Sequence, residues 1–264
     1  MNNAIILPPP DAKSKYLGDE LVHILWTGGL DSTARIVELS RYPITIQPYY
    51  IIDPGRASME YEKKAMKSIR ERLINDTNTK AIFLTVKEIK LDDIHPDLEI
   101  TDAWRELSGK YHIGSQYDFL ARYAKQHKIT FELGVERGDM KTQTCIKEES
   151  RMLSCQDAVG TNHIIDEKIS SKNVWTVFRY FKFPLWDKYK QDEVDMMESL
   201  NCGDIVNMTW FCHSPLLGKP CGHCNPCKDA RHYGFSWRLS KSRYILWYIL
   251  FFPQKIFKSI FKKI

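Results

Sequence analysis

The chain has 264 residues, 43% of them hydrophobic and 27% charged, enough to bury one sizeable core or two small ones, and one main domain is expected. Its seven cysteines come without a secretory n-region, h-region or cleavage site, which argues against an oxidised, exported protein and makes the cytoplasm the expected compartment. The net charge of +5 is concentrated in residues 238–264, which hold seven Lys or Arg and no acid, so the rest sums to about −2 and lacks the basic face that nucleic-acid backbones require.

After an N-terminal extension over residues 1–20, apolar and β-branched runs at 21–26 (LVHILW), 44–52 (ITIQPYYII), 80–86 (KAIFLTV) and 129–135 (ITFELGV) predict strands. Helical patterns fall at 31–41, 58–74 and 115–127. Beyond residue 140 the pattern is less regular, with a strand expected at 174–183 and a helix at 188–200. The alternation predicts an α/β fold, a parallel, doubly wound sheet with helices on both faces. It spans residues 21–200 as a nucleotide-binding domain, followed by a small cysteine-rich lobe at 201–237 and a tail at 238–264. Ligands of such sheets bind beyond the carboxyl ends of the strands, where the first strand delivers Trp26 to Thr33.

Within HILWTGGLDSTA, Gly28 and Gly29 permit a tight turn with unobstructed backbone N–H groups, and Leu30 to Thr33 open a helix whose positive end favours an anionic pyrophosphate. Thr27, Ser32 and Thr33 offer hydroxyls. Asp31 could hold a magnesium ion or cap the helix. The loop is not a Walker loop, because the G-x-x-x-x-G-K-[ST] spacing and its lysine are absent. An ordinary turn followed by an N-cap is the competing reading.

The second signal is Cys212, Cys221, Cys224 and Cys227 in WFCHSPLLGKPCGHCNPC, a C-x8-C-x2-C-x2-C spacing. Two short turns preset ligand pairs, and four thiolates converging on one zinc leave no open position for water, so the site is expected to be structural. An iron–sulfur cluster on the same thiolates is the competing reading. Cys145, Cys155 and Cys202 fit no spacing.

These motifs carry a resemblance. WTGGLDSTARI is similar to the [ST]-G-G-x-D-S loop of the PP-loop, or N-type, ATP pyrophosphatases, and the thiol segment TWFCHSPLLGKPCGHCNPCKDAR resembles the zinc site of one branch, the 7-cyano-7-deazaguanine synthase (QueC) family. Asp53, Gly55 and Arg56 in IIDPGR stand where that family has D-Y-G-Q. Gly134, Val135 and Asp139 resemble its G-V-N-x-x-D, and Pro184, Leu185 and Lys190 its P-L-x-x-x-x-K. The resemblance covers roughly residues 21–237. It implies the adenine nucleotide α-hydrolase-like fold, structural zinc, and ATP with magnesium bound by Trp26 to Thr33, Asp53 and Gly134. Asp31, Ser32 and Lys190 would carry the chemistry, Lys190 by neutralising phosphate charge. A surface lysine is the alternative for Lys190.

The implied reaction adenylates a carboxylate, 7-carboxy-7-deazaguanine or a relative, and lets ammonia displace AMP to give an amide and then a nitrile. Two departures bear on the substrate. Gly114, Ser115 and Gln116 replace the family's P-G-R-N, and MKTQTCIKEE replaces its Y-P-D-C-R segment, leaving Glu136, Arg137, Asp139 and Lys141 either to shape a different pocket or to stand as solvated loop charges. The alternatives are a relative that conjugates a deazapurine to a protein or uses another carboxylate, a PP-loop enzyme of tRNA thiolation or sugar amidotransfer, and a non-catalytic zinc-stapled module.

In the tail, KIFKSIFKKI puts Ile256, Phe257, Ile260, Phe261 and Ile264 on one helical face against four lysines. The apolar face could pack on its own domain, across a homodimer or on a partner protein, and these are favoured over a peripheral place on an anionic membrane.

Overall fold

The computed structural model describes residues 20–240, so the N-terminal extension up to residue 19 and the amphipathic segment of the tail lie outside the described residues. The elements run β1 (Leu21–Leu25), α1 (Leu30–Leu39), β2 (Thr45–Ile52), α2 (Met59–Ile74), β3 (Ile82–Phe83), β4 (Lys87–Lys90), α3 (Leu98–Tyr111), α4 (Gln116–His127) and β5 (Phe131–Glu132). They continue with α5 (Met140–Glu149), β6 (Met152–Asp157), β7 (Gly160–Ile165), α6 (Lys172–Phe178), β8 (Phe181–Lys182), α7 (Lys190–Ser199), α8 (Asp204–Met208) and α9 (Asn225–His232). The main sheet has the order β3-β2-β1-β5-β8, with β4 also on β2, and every pairing in it is parallel. The order reverses between β1 and β5, which opens a crevice at their carboxyl ends, where α/β sheets take ligands.

Burial on both faces explains the near-continuous apolar strands. Ile46 and Tyr50 of β2 point into a core shared with Ile36, Val37 and Ile69 of α1 and α2, whereas Tyr49 and Ile51 point into a second core with Ile100, Leu120 and Phe178. The two cores are joined by a buried ion pair, in which Arg35 of α1 donates from Nε and Nη2 to the Glu132 carboxylate of β5, both at 2.8 Å. Burial works against the Arg35 charge, but Glu132 and Glu38 outweigh it and raise its pKa.

Three expectations needed correction. The strand expected at 80–86 is confined to Ile82 and Phe83, with a second strand beyond it at Lys87–Lys90, because Pro48 sits in the middle of β2 and has no N–H for a neighbour. β3 pairs with Thr45 and Ile46, β4 with Tyr49 to Ile52, and the interruption falls opposite Pro48. The strand expected at 174–183 is mostly helix: Ser171 caps α6 by accepting from the Val174 N–H at 3.3 Å, and Val174, Val177 and Phe178 bury one face. Its β-branched and aromatic composition reads as strand, but the i, i+3, i+4 spacing is helical, and only Phe181 and Lys182 pair with β5. Thirdly, α3, α5 and the antiparallel hairpin of β6 and β7 had no counterpart in the sequence expectation. Asp97 and Asp139 cap the two helices, accepting from Ile100 and Thr142 N–H groups. Among the described residues, no helix is long and apolar enough to cross a membrane.

Candidate functional site

The loop between β1 and α1 stands in that crevice. Gly28 has φ +68°, and a Cβ there would come within 3.0 Å of the Glu62 carbonyl oxygen and 3.2 Å of the Ala65 methyl, so both its conformation and its surroundings require glycine. Gly29 is the N-cap of α1 with no side-chain cap, which leaves the first-turn N–H groups for a ligand. Gly134, following β5, presses on the same turn: a Cβ there would lie 3.2 Å from both the Asp31 Cβ and the Ser32 nitrogen. Ser32 is only 9% exposed, and its hydroxyl has no hydrogen-bond partner.

Three chambers share Thr27 as a wall. The first, about 260 Å³, lies between Gly29, Asp31 and Lys190 on one side and Trp210, Phe211, Phe235 and Arg238 on the other. The second, about 280 Å³, is bounded by Gly29, Ser32, Gln116, Tyr117, Gly134 and Asp139. The third, about 420 Å³, is bounded by Ile51, Asp53, Arg56, Gln116, Phe119 and His213. No single chamber reaches far into the usual range for ligand sites, about 300–1,000 Å³, but the three together do.

Charge gathers under the loop. Lys190, the first residue of α7, donates to Asp31 Oδ1 at 2.5 Å and lies 3.5 Å from Glu136 Oε1. Burial opposes the Lys190 charge, yet Asp31, Glu193 and Glu136 raise its pKa and keep it an ammonium. Burial raises the Glu136 pKa, against the pull of Lys190 and of the Gly138 N–H, which donates to its carboxylate. Glu193 is fully buried on the next turn of α7, and no donor reaches either of its oxygens. Burial first, then the adjacent Asp31 carboxylate, push the Glu193 acid well above the ordinary carboxylate range.

The expected site residues divide. Thr27, Gly29, Leu30, Asp31, Ser32, Asp53, Gly134 and Lys190 line the chambers, and Gly28 shapes the turn behind them. Trp26 and Thr33 do not reach them: both are fully buried, and the Trp26 indole N–H donates to the Thr33 hydroxyl at 3.0 Å. They brace the loop from within. Asp31 is not a helix cap, since Gly29 occupies that position, and its carboxylate is held by Lys190, which disfavours a magnesium ion on the same oxygen. Asp53 accepts the Gly55 N–H at 3.0 Å in a local turn. Among the loop charges, Glu136 and Asp139 belong to the crevice, Arg137 lies over the Tyr189 ring at 5.0 Å, and Lys141 is exposed.

The four expected thiols converge: the sulfurs of Cys212, Cys221, Cys224 and Cys227 all lie within 4.8 Å of one another. Cys221 to Cys227 and Cys212 to Cys224 are 3.9 Å apart. The Cys221 N–H donates to the Cys212 sulfur at 3.1 Å, and the Cys224 N–H to the Cys221 sulfur at 3.3 Å, the kind of backbone support that fixes metal thiolates in place. This lobe reaches the loop directly, because the Trp210 N–H donates to the Gly28 carbonyl at 2.8 Å and its ring stacks on Tyr61 at 4.5 Å. Cys145 is buried, and burial pushes its thiol up to about 12. Cys202 is buried beside Arg41, and Cys155 lies on β6, all three away from the cluster.

Sequence reasoning missed Glu193, Trp210, Phe211 and Arg238. The spacing of Lys190, Glu193, Val194 and Met197 puts Glu193 on the buried stripe of α7, and that signal was available. Arg238 was grouped with the basic tail, yet it is folded back over the lobe by a 3₁₀ turn at Ser236–Arg238. Burial draws its guanidinium down to about 10, with Asp31 across the chamber acting in the opposite sense.

No family model and no curated protein matches the chain. Among solved structures it is similar to the U34-tRNA thiolase NcsA of Methanococcus maripaludis, a structure with a 4Fe–4S cluster, at 12% identity over 86% of this chain and 72% of that one, with a TM-score of 0.43. A likeness at that level bears on neither the metal nor the substrate of this chain.

Proposed function

We propose that the protein is an ATP-dependent, zinc-containing carbon–nitrogen ligase of the PP-loop kind, which adenylates a carboxylate and transfers the acyl group to ammonia. The observation that carries the reading is the partnerless, buried Ser32 hydroxyl at the uncapped start of α1, inside the crevice where the strand order reverses. A buried donor without a partner costs about 1–3 kcal/mol, and an anionic ligand on it and the adjoining N–H groups would recover that. Parallel strands in this order, a double-glycine turn and the close approach of Gly134 support a nucleotide whose pyrophosphate rests on Gly29 and Ser32.

In this reading one carboxylate oxygen attacks the α-phosphorus, the bond from that phosphorus to the bridging oxygen breaks, and pyrophosphate leaves. Lys190 offsets its charge, and ammonia then displaces AMP from the acyl-adenylate. The preferred acceptor is 7-carboxy-7-deazaguanine, taken on by resemblance.

For the thiols the sulfur spacing supports a single ion. A tetrahedron with Zn–S bonds of about 2.3 Å has edges of roughly 3.8 Å, close to the 3.9 Å pairs. A four-iron cluster binds each cysteine to a different iron and spreads the sulfurs further apart. The ion would be held by all four cysteines and would supply rigidity rather than chemistry.

The test is to incubate the full chain with ATP, magnesium, ammonium and 7-carboxy-7-deazaguanine and to follow AMP and product mass. AMP release that falls about 10-fold or more in Ser32→Ala is expected, given about 1.5–3 kcal/mol for a hydrogen bond to a charged group. Unchanged nucleotide binding and turnover in that variant would overturn the site.

A further inference from the structure

The first chamber contains a cation that the phosphate loop does not use. Arg238 arrives from outside the sheet, its guanidinium carbon 4.4 Å from the centre of the Phe211 ring and its Nη2 donating to the Thr209 carbonyl at 2.6 Å and the Thr209 hydroxyl at 2.7 Å. Those two bonds fix its plane. Among the described residues, Nε and Nη1 make no hydrogen bond and no carboxylate lies within 4.0 Å of the group. Cations taken out of water are normally paired, and Arg56, which lines the third chamber, obeys that rule with Glu62 and Asp53. Arg238 instead lines, with Nε and Nη1 unused, a cavity walled by Trp210, Phe211, Phe235 and Pro226, with Lys190 opposite.

We infer that Arg238 is the anion anchor of the first chamber and binds the carboxylate of a planar aromatic acceptor, setting the preference for acids over neutral analogues. With both Nη2 hydrogens committed to Thr209, Nε and Nη1 remain as separate charge-assisted donors to a carboxylate, and the aromatic walls suit a flat ring system. A phosphate is the other small anion with the right chemistry, but the partnerless Ser32 hydroxyl lines the second chamber and not the first. This deepens the proposed ligase reading by naming what selects its acceptor. Conversion of the acid to an amide removes the charge that Arg238 holds, so the same residue favours product release.

Direct binding to the full chain tests it without turnover. Benzoate, indole-3-carboxylate and 7-carboxy-7-deazaguanine are each titrated calorimetrically against their own amides, with inorganic pyrophosphate as a separate arm. The native chain is expected to prefer at least one acid over its amide by about 10-fold or more, from about 1.5–3 kcal/mol for charged hydrogen bonds. Arg238→Gln, which removes the charge, should bring that ratio to about one and leave pyrophosphate affinity within about twofold. Arg238→Lys keeps the charge without the fork and should retain part of the preference, which serves as the readout if the glutamine variant misfolds. Zinc content and melting temperature of each variant report any structural loss. The proposal falls if no acid is preferred by the native chain, if the preference survives in Arg238→Gln, or if pyrophosphate affinity drops together with it, which would make the anion a phosphate. Failure to release AMP, with the acid preference intact, would instead sink the ligase reading and leave Arg238 standing.

Discussion

The sheet domain and the thiol lobe are held together by different physics. The sheet closes on two continuous apolar cores, one on each face, whereas the lobe lends Ala230 and Phe235 to one of them and otherwise gathers on Cys212, Cys221 and Cys227, with Trp210, Phe211, Cys224 and Leu239 against them. A core spread over many side chains loses stability in increments when one is changed. A lobe organised by four sulfurs loses it at once. The functional consequence runs one way, because the lobe carries Trp210, which holds the Gly28 carbonyl, and Thr209 with Arg238, which close the first chamber.

The largest effect should therefore come from the sulfurs. Cys221→Ser, or stripping with a strong chelator, removes a metal contribution of about 10–16 kcal/mol in isolated zinc modules. Hydrogen exchange should show protection lost over residues 209–238 and kept in β1 and β2, together with loss of AMP formation. Uniform loss along the chain would mean that the lobe and the sheet are one cooperative unit.

The counterpart inside the sheet is Glu132→Ala. It strands Arg35 at 2% exposure, and breaking a buried pair on one side costs about 3–5 kcal/mol. Urea denaturation should report that loss while metal content stays at the native value. A loss below about 1 kcal/mol would show that Glu38, 2.8 Å from Arg35 Nη1, is sufficient compensation.

The same division governs what could be read in the sequence. The glycine turn before α1 and the thiols were legible because glycine at positive φ and cysteine at ligand spacing are demanded locally, by residues close in sequence. The parallel sheet followed from alternation. Less legible were features whose cause lies across the fold: Pro48 splits a strand that belongs to another segment, and Phe178 is helical despite a strand-like composition. Arg238 looked like tail charge because only the folded lobe brings it over Phe211. The pairing of Asp31 with Lys190, 159 positions apart, follows from the packing of α7 on α1, which no spacing announces.

Between the two regions lies Gly28→Ala. Backbone strain at φ +68° and the 3.0 Å approach to the Glu62 carbonyl oxygen should together cost about 2–4 kcal/mol. Because the Gly28 carbonyl also accepts from Trp210, the variant should lower nucleotide affinity and loosen the lobe without releasing the metal. Metal lost in parallel with ATP binding would show that the loop supports the lobe as much as the lobe supports the loop.

The smallest effect, and the one with a distinctive pH signature, belongs to Glu193. In the unfolded chain its acid titrates near the ordinary value of 4.5, and in the native state burial and Asp31 hold the proton to a much higher pH. Across that interval the native state binds more protons than the unfolded one, so this group makes stability fall as pH rises above about 4.5. A glutamine at this position cannot titrate and offers Asp31 a permanent N–H donor. Glu193→Gln should therefore match the native chain near pH 4 and exceed it at pH 8 by about 1–2 kcal/mol, measured by urea denaturation across that range. Parallel pH profiles for the two proteins would mean that Glu193 is ionised in the native state and that Lys190 balances Asp31 and Glu193 together.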